Sequence, residues 1–193
     1  MKDLTIKIEF FSPWNCSSGL SAGADADSLV IKDKDGLPYL PGKTVKGLIR
    51  EAVEDYVSLS GRPIDTAAAF GKEAKSDTAD SLPQKGTLFF SNASLDKKEA
   101  CAILEAGTAD FLYINRASTA IDKNTGIAQD HSLRTIETTV PCTLYAHVMH
   151  VEDDLAECMK QALGLIKHIG TGRNRGMGRC RFSIVKIEKG GNT

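Results

Sequence analysis

No run of apolar residues in this chain approaches the roughly 18–20 needed to span a bilayer, and mean hydropathy is only -0.19. The start, MKDLTIKIEFFSPW, breaks its apolar residues with charge and lacks the continuous core of a signal peptide. A cytoplasmic protein is expected, with no membrane partner. The five cysteines, Cys16, Cys101, Cys142, Cys158 and Cys180, are odd in number and scattered, with no CxxC; they read as reduced thiols. The histidines (His131, His147, His150 and His168) form no zinc pattern, and His147 and His150, in an expected strand, fall on opposite faces. Aromatics are few, seven Phe, four Tyr and one Trp, and the basic–Gly–aromatic signature of a conventional RNA-recognition motif is absent. There is no GxSxG nucleophile elbow. Nor is there an excess of one charge: 24 basic side chains face 25 acidic ones, so only local clustering can speak for a polyanionic partner.

What the chain does have is enough apolar material, 41% of 193 residues, for one domain with its own core. LTIKIEFF (4–11) alternates as a half-buried strand. A long Ser/Gly/Asn/Asp loop follows, of the kind that often carries function. LVIKDKDGLPYL then reads as a hairpin turning at Asp35-Gly36. Residues 43–59 form the clearest helix, with Val45, Leu48, Ile49, Ala52, Val53, Tyr56 and Leu59 on one side. Residues 60–84 read as a variable connection, 86–95 as a strand, and 97–107 as a short helix ended by Gly107. Residues 115–138 are dense in turn formers, 139–151 form a strand, and the helix begun by Asp153 and Asp154 runs to Gly170. CRFSIVKIEK closes the chain as a strand. The order fits an α+β core, a modified ferredoxin-like (RRM-like) β-α-β-β-α-β arrangement with inserted loops.

Four segments could carry chemistry. In Gly170-Thr171-Gly172-Arg173-Asn174-Arg175-Gly176-Met177-Gly178, the glycines allow close backbone approach to a ligand. Arg173, Arg175, Arg179 and Arg181 add planar forks suited to phosphate. A dinucleotide fingerprint fails here, because Arg175 takes the third glycine position and the loop follows a helix; a surface turn with solvated arginines is the plain alternative. Pro41-Gly42-Lys43-Thr44 lacks the earlier glycine of a P-loop. Lys43, Lys46 and Arg50 nevertheless share one flank of the helix, suited to phosphates or simply to water. Asp25 and Asp27, two apart in the loop, could face the same way and hold a hydrated magnesium, while Asp33 and Asp35 belong to the hairpin turn. Last, Arg116, Lys123, His131 and Arg134 surround Ile121 and Ile127 in a stretch too polar to be core. Such a segment fits a projecting thumb with an apolar wedge, or a loop with no order of its own.

DSLVIKDKDGLPYLPGKTVKGLIRE (27–51), AFG (69–71) with GTLFFSNA (86–93), NRASTAIDKNTGIAQDHSLRTIE (115–137) and GTGRNRGMGRCRF (170–182), in that order, resemble the RAMP superfamily of CRISPR-associated proteins. The closest similarity is to the repeated backbone subunit of type III interference complexes. The resemblance implies a single palm domain over 1–193, with an inserted loop and hairpin at 12–41 and a thumb at about 115–138. It implies guide RNA, complementary target RNA, further copies of the chain in a filament and other effector subunits as partners. Lys43, Thr44, Lys46, Arg50, Arg116, Gly170, Gly172, Arg173, Asn174, Arg175, Gly176 and Gly178 would hold RNA, and Ile121, Ile127, His131 and Arg134 would belong to the thumb. Asp27 matches the position of the cleaving aspartate, with Asp25 second. It would act with magnesium or manganese to let a ribose 2′-hydroxyl attack the next phosphate. Two alternatives remain: a scaffold whose nuclease is a partner, and a guide-processing ribonuclease using a histidine such as His131.

Overall fold

Apolar alternation over Lys2–Phe10 becomes β1, which buries Leu4, Ile6, Ile8 and Phe10 and leaves Thr5, Lys7 and Glu9 on the other face. The computed structural model describes residues 1–23, 26–72 and 84–189. Along it follow β2 (Tyr39–Leu40), α1 (Gly42–Ser60), α2 (Thr66–Phe70), β3 (Gly71–Lys72), β4 (Gln84–Lys85), β5 (Phe89–Phe90), β6 (Ala93–Ser94) and α3 (Lys97–Glu105). The second half contains β7 (Tyr113–Ser118), β8 (Arg134–Thr139), β9 (Thr143–Val151), α4 (Asp153–Ala162) and β10 (Cys180–Lys189). The architecture is mixed α and β around an antiparallel sheet. Its strands run β10–β1–β9–β6–β2, with β5 also beside β9. Two further antiparallel pairs stand apart from it, β3 with β4 and β7 with β8.

One core joins the inward residues of β1, β9 and β10 to Val45, Ile49, Ala52 and Val53 of α1 and to Leu155, Cys158, Met159 and Ala162 of α4. Each fully buried aliphatic side chain there contributes about 1.5–3 kcal/mol, so these strands and the two helices carry the stability of the palm. Burial also raises two thiols, Cys142 to about 11 and Cys180 to about 12. Both stay protonated and inert at neutral pH. Among the described residues no helix is long and apolar enough to cross a membrane.

Several elements differ from the sequence expectation. The strand over 86–95 is split into β5 and β6, because Asn92 turns away to accept the Gly42 N–H with its Oδ1 at 2.8 Å. That bond caps α1, whose Pro41 N-cap supplies no side-chain acceptor. Leu59, in the last turn of α1, projects past its neighbours and is exposed. The α-helix from Asp153 stops at Ala162 rather than Gly170. Beyond a 3-10 turn the chain extends so that Ile166 and Ile169 are buried, and it pairs with the chain returning through Gly178–Cys180. The loop after β1 is partly core: Trp14 is fully buried and stacked on Phe10 at 4.4 Å between ring centroids. Finally, a bulge in the β1–β9 register, with His150 at φ 64°, leaves both His147 and His150 exposed rather than on opposite faces.

Candidate functional site

Asp27 is anchored to β8 near the outer end of the β7–β8 ladder, at Thr135 opposite Ala117. Its main-chain N–H donates to the Thr135 carbonyl at 2.7 Å, and its Oδ2 accepts the Thr135 N–H at 2.7 Å. Ser28 then pairs in parallel with Ile136, and the Glu137 N–H donates to the Ser28 carbonyl at 2.9 Å. The segment at Asp27–Ser28 thus lies alongside β8, joined to it by one isolated parallel bridge. One backbone bond and one carboxylate bond fix the aspartate itself and a further backbone bond fixes Ser28 beside it, while the Asp27 Oδ1 accepts no hydrogen bond among the described residues. Asp25 lies outside the described residues.

Glu137 locks this arrangement from inside. Its Oε2 accepts the Val30 N–H at 3.0 Å, its Oε1 accepts the Lys32 ammonium at 2.8 Å, and its carbonyl accepts the buried Asn15 amide at 2.7 Å. Lys32 in turn lies 3.8 Å over the Tyr113 ring, and the Tyr113 hydroxyl donates to the Gly36 carbonyl at 2.6 Å. Burial, with the Glu137 and Asp33 carboxylates nearby, raises the Tyr113 pKa well above the ordinary phenol value. Sequence reasoning named neither Glu137 nor Lys32. The available signal was an acidic residue inside the otherwise polar-neutral TIETTV strand, where burial demands a partner.

The hairpin that Asp27 touches pairs Tyr113 with Thr139 through to Ser118 with Arg134. Arg116 and Arg134 share one of its faces as diagonal cross-strand neighbours. Beyond Ser118 the connection is solvent-exposed almost throughout: Ile121 is 55% and Ile127 68% exposed, and His131 sits at φ 58°. The tip is nevertheless ordered locally. Asp122 Oδ1 accepts the N–H groups of Asn124 and Thr125, which holds its carboxyl below the usual range, and Ile121 bridges Ala128.

On α1, Lys43 is exposed and Lys46 and Arg50 are half-buried, with Arg50 bonded to Glu54 at 2.8 Å. Gly42 is required where it stands, since a Cβ there would lie 2.7 Å from the Phe90 carbonyl oxygen. Thr44 follows in the first turn. The Gly-rich loop approaches backbone as expected, but the backbone is the protein's own. Gly170 and Gly178, both at positive φ, pack against Asn15 and Ile169, and the Gly178 N–H donates to the Pro13 carbonyl at 2.9 Å. Between them Gly172 and Gly176 flank a 3-10 turn in which Arg173, Asn174 and Arg175 are exposed. A cavity of about 340 Å³ separates this turn from α1. Its lining includes Arg173, Asn174, Glu51 and Asp55. Lys43, Lys46 and Arg50 lie on another flank of the helix. The loop and the basic face are therefore not brought together, and acidic residues of α1 are the ones that face Arg173.

Comparison with known proteins places these features in context. The model of the RAMP superfamily matches residues 7–181. A curated relative, the CRISPR system Cms endoribonuclease Csm3 of Enterococcus italicus, is 26% identical over 179 residues, covering 84% of this chain and 79% of its own length. Among solved structures, a chain of the type III-B Cmr-beta complex bound to cognate target RNA superimposes with a TM-score of 0.72 at 9% identity, covering 95% of this chain and 97% of that one. The apo state of the same complex gives 0.65 at 10% identity, with the same coverage.

Proposed function

The chain belongs to the RAMP superfamily, and from that premise we propose that it is a guide-RNA-binding backbone subunit of a type III-like CRISPR effector. In this reading copies polymerise along the guide, bind complementary target RNA beside other effector subunits, and cut it at regular intervals. The observation that carries the reading is the position of Asp27, a single carboxylate strapped to β8 at the outer end of the hairpin's ladder, in a chain whose family match spans both. The name of the Enterococcus relative, an endoribonuclease of a CRISPR system, supports RNA cleavage as the activity. The sheet order β10–β1–β9–β6, with α1 and α4 as its crossovers, supports a modified ferredoxin-like palm. The single domain over 1–193 carries the 12–41 insertion on one side and residues 115–138 as the thumb.

Chemically, Asp27 would meet the target strand beside the outer end of the hairpin's ladder, where the exposed connection begins. Its Oδ2 is committed to Thr135, which orients Oδ1 for a second partner: the 2′-hydroxyl proton of the target ribose, or a divalent ion. Among the described residues no three His, Cys, Asp or Glu side chains converge into a metal cage. The uncommitted Asp27 Oδ1 fits a magnesium or manganese ion that would be held jointly with RNA phosphate, the usual mode for magnesium at phosphate. Such an ion would stabilise the charge that develops on the phosphate. The protein's part is positioning: the hairpin holds the strand while Asp27 aligns the attacking oxygen.

Assembled with guide RNA and given end-labelled complementary RNA, the wild-type chain is expected to produce evenly spaced cuts in magnesium and none in chelator. Asp27→Asn is expected to bind target unchanged and to cut about 10²–10⁴-fold more slowly. Tight binding without cuts by the wild type would make the chain a scaffold and move the nuclease to a partner. Cutting that survives chelator and depends on His131 would make it a guide-processing ribonuclease.

A further inference from the structure

At the end of β1, between residues 163–168 and the start of β10, lies a second cavity of about 280 Å³. Lys167, His168, Arg179 and Arg181 line it together with Phe11, and no aspartate or glutamate lines it. The arrangement follows from local structure. Alternation along β1 ends at the pair Phe10-Phe11; Phe10 is buried, so Phe11 faces outward and is 47% exposed. The Phe11 N–H donates to the Arg179 carbonyl at 2.8 Å, the Cys180 N–H donates to the Lys167 carbonyl at 2.8 Å, and His168 bridges Arg179. This ladder sets the cations in neighbouring rows. The Arg181 guanidinium lies 5.2 Å from the Phe11 ring centroid. Glu9 is opposite Arg181 in the sheet, but its carboxylate is bonded to Lys7 at 2.8 Å. Among the described residues, Lys167, Arg179 and Arg181 form no ion pair.

Three uncompensated cations around an exposed aromatic ring, in a cavity just below the range of about 300–1,000 Å³ used by drug-sized ligands, match one nucleotide: a flat base and an anionic phosphate. We propose that this cavity takes one unpaired nucleotide of single-stranded RNA, its base against the Phe11–Arg181 pair and its phosphate among Lys167, Arg179 and Arg181. The site shares none of its lining residues with Asp27 or the α1 basic flank, and it adjoins the cavity beside the Arg173–Arg175 turn through Ile166, Lys167 and His168. It rests on the reading of the chain as an RNA-binding subunit and adds a specific holding point for the strand. An aromatic platform favours a nucleobase over an acidic protein segment, which would need the cations alone.

The test is photocrosslinking of the assembled complex with guide RNA carrying iodouridine, followed by mass spectrometry of the protein. A crosslink at Phe11 or His168 is expected, together with about tenfold weaker guide binding for the F11L R181Q double variant, in line with the stacking energy of one base. Both substitutions lie on the surface and leave the core cluster intact. Crosslinks confined to α1 and the hairpin, with the double variant binding normally, would overturn the pocket while leaving the RNA-binding reading in place. In that case an acidic face of a protein partner would be the remaining occupant. Absence of any crosslink, with no guide binding by the wild type, would overturn both.

Discussion

Asp27 works at the residue scale through what it cannot do: with Oδ2 and its N–H both tied to Thr135, it has one carboxylate oxygen to offer. Gly42 is constrained more severely. Adding a methyl group would drive it to 2.7 Å from the Phe90 oxygen and 3.0 Å from that of Ser91, both of them backbone atoms that cannot swing away. Gly42→Ala is therefore expected to destabilise the fold by about 1–3 kcal/mol, read as a lower midpoint in urea, whereas Gly47→Ala, with nothing near its Cβ position, should be neutral or stabilising by the helix-propensity difference. Equal effects at the two positions would mean that the α1 start does not pack on the β5–β6 connection.

At the scale of elements, the hairpin and the segment carrying Asp27 form one unit through Glu137. Glu137→Gln keeps an acceptor for Val30 but loses the ionic bond to Lys32, which is about one-third exposed. A stability loss of about 1–2 kcal/mol is expected, with target cleavage falling more than guide binding, because the loosened segment is the one that aims Asp27. Parallel losses of cleavage and binding would argue against that role. The hairpin tip behaves oppositely. Residues 119–133 contribute nothing to the core cluster, so deleting 118–132 is expected to leave the thermal midpoint of the palm nearly unchanged and to abolish regular spacing of target cuts. An unfolded deletion protein would place that segment in the core.

Across the whole molecule, near-neutral net charge of -1 conceals a sorting of charge. Arg50 is partly committed to Glu54, while Lys43 and Lys46 form no ion pair among the described residues. Replacing Lys46 and Arg50 together with Ala should weaken guide binding and lower the salt slope by about 1.4, two cations at about 0.7 each for a single strand. Lys46→Ala alone should cost more than Arg50→Ala. Unchanged slope in filter-binding titrations would remove α1 from the RNA path.

Local pattern alone determined β1, α1, the Asp35-Gly36 turn and β10, because apolar period and a turn dipeptide each act within a few residues. It also put forward Asp25 and Asp27 as a pair, with Arg116, Arg134 and the isoleucines of the hairpin, since such residues stand out against their neighbours; the choice of Asp27 over Asp25 came from the family resemblance. What it could not contain was pairing over long separations. Nothing near Gly42 announces that Asn92 will cap it, and nothing in the stretch after Ala162 says that its backbone will pair with Gly178 and Cys180 instead of continuing a helix. The same holds for the Lys32–Glu137 bond and for the pocket that gathers Phe11, Lys167 and Arg181. Those contacts join residues far apart in the chain, and only the packed sheet, by fixing strand order and register, decides which of them meet.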